Sequence, residues 1–170
     1  AWGDNTAGKL GNGTTTGSDV YALRLLGNGP VQVRPSGLAA THRDGQTFLT
    51  WDSPPSTGWT HRIYFSPNPI TVDSDLDGAT LLGSVGDSSA TDARLSGLLK
   101  VLRTFRTDSA AAPLPADKGL FVVTVPADRA AWYAVTSQLA GGAEDRHLIP
   151  GGKAALHPVA ESLAPPPPVD

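Results

Sequence analysis

Apolar residues in this chain recur at every second position, in short runs cut off by glycine and proline. That period dictates strands rather than helices. Thr47-Phe48-Leu49-Thr50-Trp51-Asp52 places Leu49 and Trp51 on one face. Arg62-Ile63-Tyr64-Phe65 is a second strand, stopped by Pro67 and Pro69. Leu81-Leu82-Gly83-Ser84-Val85 is a third, and Leu120 to Val125 a fourth, ended by Pro126. Ala131 to Ser137 is a fifth, with Tyr133 and Val135 sharing a face, and Gly141-Gly142 turns the chain toward a last strand near His147-Leu148-Ile149. Asp44-Gly45 precedes the first of these strands and reads as a tight turn, since both residues accept positive φ. The expected fold is therefore all-β: two sheets packed as a sandwich, with Trp51, Tyr133, Ile63 and Val135 as its core.

One segment departs from the period. Leu95, Leu98, Leu99 and Leu102 sit at helical spacing, which suits a short amphipathic helix, while Lys100 to Thr107 suits a strand equally well. Both readings stay open for residues 93–107.

Composition supports a folded body. Hydrophobic residues make up 39% and charged residues 17%, enough apolar content to bury a core. The 19 glycines and 15 prolines fit many turns between short strands. The net charge of -3 carries no basic run of the kind that a nucleic-acid binder shows. No apolar stretch is long enough for a membrane span. Cysteine is absent, which excludes disulfides, thiolate metal sites and a cysteine nucleophile.

Three regions follow. Residues 1–35 are polar, rich in Gly, Asn and Thr, and form an irregular N-terminal extension that cannot bury a core alone. Residues 36–161 are the sandwich. Residues 162–170 hold four consecutive prolines and read as a polyproline II spacer, expected to tether the body to something further on. The chain lacks Met and opens at Ala1-Trp2-Gly3 inside what reads as a motif, so Ala1 is read as an internal position of a longer protein.

Two resemblances bear on these regions. Ala1-Trp2-Gly3-Asp4-Asn5-Thr6-Ala7-Gly8-Lys9-Leu10-Gly11-Asn12-Gly13-Thr14 resembles the core of an RCC1-type propeller repeat, with Pro30-Val31-Gln32-Val33 as its following strand. Lys9 stands where that family carries Gln, and the gap between Thr16 and Pro30 is longer than usual. One such repeat cannot close a propeller, so the resemblance implies the tail of a propeller lying upstream. Pro35-Ser36-Gly37-Leu38-Ala39-Ala40, the strand tryptophan Trp51 followed by Pro54-Pro55, the Ile63/Phe65 alternation and Tyr133-Ala134-Val135-Thr136-Ser137 resemble a fibronectin type III domain. The body is longer than an ordinary member, the excess lying between Pro67 and Gly119. It is similar to an elongated variant found beside catalytic domains of exported bacterial hydrolases. The resemblance implies an immunoglobulin-like sandwich, an extracellular or cell-surface location and an accessory role.

Candidate chemistry is sparse. Asp73-Ser74-Asp75-Leu76-Asp77-Gly78 has the alternating carboxylates and the glycine of a calcium loop, which makes Asp73, Asp75 and Asp77 candidate Ca²⁺ ligands. Its twelfth position is Ser84 rather than the bidentate Glu such a loop needs, so a solvated acidic turn competes with that reading. The histidines His42, His61, His147 and His157 fit no metal spacing. No Gly-x-Ser-x-Gly elbow occurs, and Glu144 and Asp145 are adjacent, so they diverge on a strand. Glu161 lies near the tail. Trp59, beside Ser56-Thr57-Gly58, and Trp132, opposite Tyr133 in facing, are candidate sugar-stacking rings, with packing against a loop or neighbouring domain as the alternative. Asn12-Gly13-Thr14 matches a glycosylation sequon but reads as a turn.

The expected function is a non-catalytic accessory or spacer domain whose partners are neighbouring domains of the same polypeptide. A carbohydrate- or surface-binding module is the second reading. The third is a structural subunit joined to copies of itself. No cofactor beyond the candidate Ca²⁺ is expected.

Overall fold

The computed structural model describes residues 3–4, 18–19, 35–53, 58–148, 152–154 and 157–163. The chain forms two compact units, Ala1–Gln32 and Val33–Asp170. In the first unit, β1 (Gly3–Asp4) pairs antiparallel with β2 (Ser18–Asp19), Gly3 opposite Asp19. The expected strand at Pro30 to Val33 and the sequon lie outside the described residues.

The second unit is a pair of antiparallel sheets. β3 (Ser36–Arg43), β4 (Gln46–Asp52) and, far along the chain, β7 (Lys118–Thr124) make one sheet in the order β3-β4-β7. Asp44 and Gly45 both take positive φ, 51° and 73°, and close a two-residue hairpin between β3 and β4. The other sheet is built on β5 (Trp59–Ser66), which pairs with β6 (Thr80–Gly86) on one side and β8 (Arg129–Leu139) on the other. Between β6 and β7 lies the short helix α1 (Ala93–Leu99).

The free edge of β8 is filled in pieces. β9 (Glu144–Asp145) pairs with Ser137 and Gln138, Ala154 bridges Ala134, and β10 (Val159–Glu161) pairs with residues 129–131. This corrects the expected last strand for His147 and Leu148, while Ile149 lies outside the described residues. His147 and Leu148 lie between the pieces, where the Leu148 side chain is buried instead of paired in a ladder.

The period-two pattern has its expected consequence between the sheets. Leu49, Trp51 and Val123 from one sheet meet Ile63, Ala131, Tyr133 and Val135 from the other, all buried. Fully burying each large side chain is worth about 1.5–3 kcal/mol, so these few residues dominate the stability of the body. The fit is closest where Trp51 lies across β7. A β-carbon on Gly119, its register partner, would stand 2.0 Å from Trp51 Cε2, so only glycine fits there.

The opposite face of the second sheet is also covered. Tyr64 and Ala134 point outward and pack with Ile70, Leu76 and Leu148 in a second cluster. Residues 67–79, including a single 3-10 turn at Asp73–Asp77, supply that cover. This accounts for part of the excess length noted between Pro67 and Gly119.

Candidate functional site

The acidic turn shows how its sequence is used. Asp75 Oδ2 accepts hydrogen bonds from the amides of Thr71 (2.6 Å) and Val72 (2.9 Å) and from the Thr71 hydroxyl (3.0 Å). Asp73 accepts from the Leu148 amide (2.7 Å) and faces His147 Nδ1 at 3.0 Å. Asp77 pairs with Arg146 at 2.8 Å. The Leu148 amide, then the His147 imidazole, hold the Asp73 carboxyl below its ordinary range, and the Thr71 and Val72 amides do the same for Asp75. Asp73 and Asp77 thus fasten the 3-10 turn to the segment after β9, while Asp75 ties it to Thr71 and Val72 just before it. A cation would have to share these carboxylates with their present partners. Among the described residues no group of three or more metal-ligating side chains converges.

The two candidate sugar-stacking rings sit in different surroundings. Trp59 opens β5 opposite Leu139 and is only 7% exposed, so it is a wall of the body rather than a platform on a loop. Its amide donates to Asp87 Oδ2 at 2.8 Å, which holds the strand start in place. Trp132 is half-buried and leans on the outer cluster of Tyr64 and Leu148. Trp51, by contrast, is fully buried with Tyr133, Ile63 and Val135.

Folding brings together a serine, a histidine and an aspartate that no sequence spacing announces. Ser53 ends the run after β4, His61 lies in β5 and Asp87 follows β6. Ser53 Oγ is 3.1 Å from His61 Nε2, and Asp87 Oδ1 approaches the same nitrogen at 3.4 Å. A nucleophilic relay needs serine on one ring nitrogen and the acid on the other. Here both meet Nε2, and Nδ1 is buried with no hydrogen-bond partner among the described residues. His61 is fully buried, edge-on to the Trp51 ring at 5.6 Å. Burial lowers its pKa, opposed by Asp87, so the imidazole stays neutral at neutral pH.

A second polar network closes the far end of the sandwich. The Glu161 carboxylate accepts from the hydroxyls of Thr47 and Tyr133 and from Arg129 Nε at 2.7 Å. Thr47 also meets His42 Nδ1 at 3.0 Å. The order His–Thr–Glu puts the hydroxyl between base and acid, the wrong arrangement for activating it, and Thr47 is fully buried. The network links β4 of one sheet to β8 and β10 of the other. Burial pushes the Glu161 carboxyl up, but the three donors outweigh burial and leave it lowered. Lys153, also buried, meets Asp145 Oδ2 at 3.1 Å and its carbonyl at 3.0 Å, which pins the interrupted edge beside β8.

Among the described residues, the most exposed apolar surface is the excursion between β6 and β7. Its stem is tied: Asp92 accepts from the Leu95 amide (2.9 Å), its own amide reaches the Arg103 carbonyl (2.8 Å), Arg103 N meets Ser96 Oγ (2.8 Å), and Phe105 N meets the Ala90 carbonyl (2.8 Å). The segment left open by the sequence is therefore a helix over Ala93–Leu99, stopped by Lys100 at φ 55°, then an irregular return with one bridge from Thr104 to Thr91. No residue of the helix is buried. Its leucines Leu95, Leu98 and Leu99 are exposed. Comparison of the chain with protein-family models, with curated proteins and with solved structures finds no match in any of the three.

Proposed function

We propose that this chain is a non-catalytic accessory module, a fibronectin type III-like sandwich that holds or docks neighbouring parts of a larger exported protein. The strand order carries the reading. A three-stranded β3-β4-β7 sheet faces a sheet ordered β6-β5-β8, whose last edge is the interrupted β9/β10 strand. The strand that carries Trp51 and the strand that carries Tyr133 fall in opposite sheets and pack against each other. The polar clusters support an accessory role because each ties one element to another. Glu161 joins the two sheets, Lys153 and Asp145 hold the broken edge, and Asp73 fastens the 3-10 turn. A carbohydrate-binding alternative rests on Trp132 alone, since Trp59 is inside.

The test is a hydrolase screen of the full chain against ester, peptide and glycoside substrates. Background turnover, equal in the parent and in His61→Gln, is expected. Turnover that disappears in both Ser53→Ala and His61→Gln variants, with their folds intact, would overturn the reading in favour of an enzyme.

A further inference from the structure

We propose that the excursion between β6 and β7 docks onto an anionic lipid surface, with Leu98, Val101 and Leu102 entering the interface and Arg94, Lys100, Arg103 and Arg106 meeting the phosphates. The proposal is independent of the accessory reading. It rests on three properties found together in this segment.

The first is exposure. Leu98 is 75% exposed, Leu102 61% and Val101 56%, and Leu95, Leu99 and Phe105 are exposed as well. So many large apolar side chains in one short stretch mark an interaction surface rather than ordinary scatter. The second is charge. From Ala93 to Thr107 the chain carries four cations and no acid, although its net charge is -3. Among the described residues none of Arg94, Lys100 and Arg103 forms an ion pair. The flanking acids are occupied: Asp92 caps the helix, and Asp108 is bound by Arg43. The third is form. The stem is held by the hydrogen bonds described above, and no residue of its helix is buried, so the apolar side chains are presented outward by an ordered turn.

Together these properties favour a bilayer over a protein partner. Cations interleaved with outward aliphatic and aromatic side chains match the boundary between headgroups and acyl chains, where one face of a segment gains from both. Each cation near an anionic surface contributes about fivefold in affinity. An ordered stem also reduces the entropy lost on binding.

The experiment is co-sedimentation of the full chain with vesicles of phosphatidylcholine alone and of phosphatidylcholine mixed with phosphatidylglycerol, over a range of salt. Binding to the mixed vesicles, weakened by salt, is expected. Arg94→Gln with Arg103→Gln should weaken it roughly 25-fold, and Leu98→Ser with Leu102→Ser should remove what survives at high salt. All four side chains are exposed, so the thermal midpoint should stay unchanged and verify the fold. Binding that is absent, equal for the two vesicle types, insensitive to salt or unmoved by both double variants overturns the proposal. So does a dimer seen by light scattering that Leu98→Ser with Leu102→Ser dissolves, which would assign the surface to a second copy of the chain.

Discussion

Gly119→Ala probes the closest contact in the body. The new methyl group would stand 2.0, 2.3 and 2.4 Å from Trp51 Cε2, Nε1 and Cζ2. Ordinary carbon contacts lie at about 3.5–4.0 Å, so the ring or β7 must retreat by well over an ångström. Trp51 has no free space to take, being fully buried among Leu49, Ile63 and Val123. Overpacking of a filled core costs about 1–3 kcal/mol, and this site belongs at the upper end because backbone and a rigid ring are opposed. A loss of about 3 kcal/mol lowers the thermal midpoint of a domain this size by about 10 °C. Urea unfolding followed by tryptophan fluorescence measures it. Trp51→Phe in the same chain makes room, so the double variant should lose less than the two single losses combined. A Gly119→Ala variant within about 0.5 kcal/mol of the parent would refute the packing described for Trp51.

Glu161→Ala leaves the Tyr133 and Thr47 hydroxyls and Arg129 without their acceptor, and should cost about 3 kcal/mol by chemical unfolding; a loss below about 1 kcal/mol contradicts the inter-sheet link. Because the folded state lowers the Glu161 pKa from its ordinary 4.5, its stabilisation is present above that pH and is lost as pH falls through the folded value. Glu161→Gln should therefore be less stable than the parent above about pH 4.5 and lose less further stability as pH falls below it, and an unchanged slope would contradict the link. His61 runs to the same sign by another route: its folded pKa lies below 6.5, so the unfolded chain takes up a proton first and stability declines as pH drops below that value. His61→Gln should flatten that decline, and an unchanged slope would place the imidazole in solvent. Calcium at a hundredfold excess over its dissociation constant would stabilise a real site by about 2.7 kcal/mol. With Asp73, Asp75 and Asp77 engaged elsewhere, no midpoint shift is expected on adding calcium or chelator, and a shift of several degrees abolished by Asp75→Asn would restore the loop as a cation site.

Period two was sufficient to place Leu49 with Trp51, Ile63 with Phe65 and Tyr133 with Val135, because each pair spans one pleat on the same face. It was silent on what covers the reverse face of β5 and β8. Tyr64 and Ala134 are as apolar as their neighbours, and their cover comes from loop residues Ile70, Leu76 and Leu148, which follow no period. Trp59 looked like a loop residue because Gly58 precedes it, yet β5 begins at that ring and buries it. In the sequence Glu161 reads only as lying near the tail, while its partners Thr47 and Tyr133 lie 114 and 28 residues away, a separation no local pattern encodes. The same applies to Ser53, His61 and Asp87, whose meeting depends on sheet pairing. Helical spacing of Leu95, Leu98 and Leu99 was legible, but spacing alone does not say whether an apolar stripe meets a core or the outside.

The sandwich stands on β4 and β7, distant in sequence, being neighbours, with Trp51 sealed beneath them. Nuclear Overhauser contacts of the Trp51 indole protons test it most directly. The fold predicts strong cross-peaks to the Gly119 α-protons and to the His61 ring, with a slowly exchanging indole N–H. An indole that shows only sequential contacts and exchanges freely with solvent would contradict the sandwich.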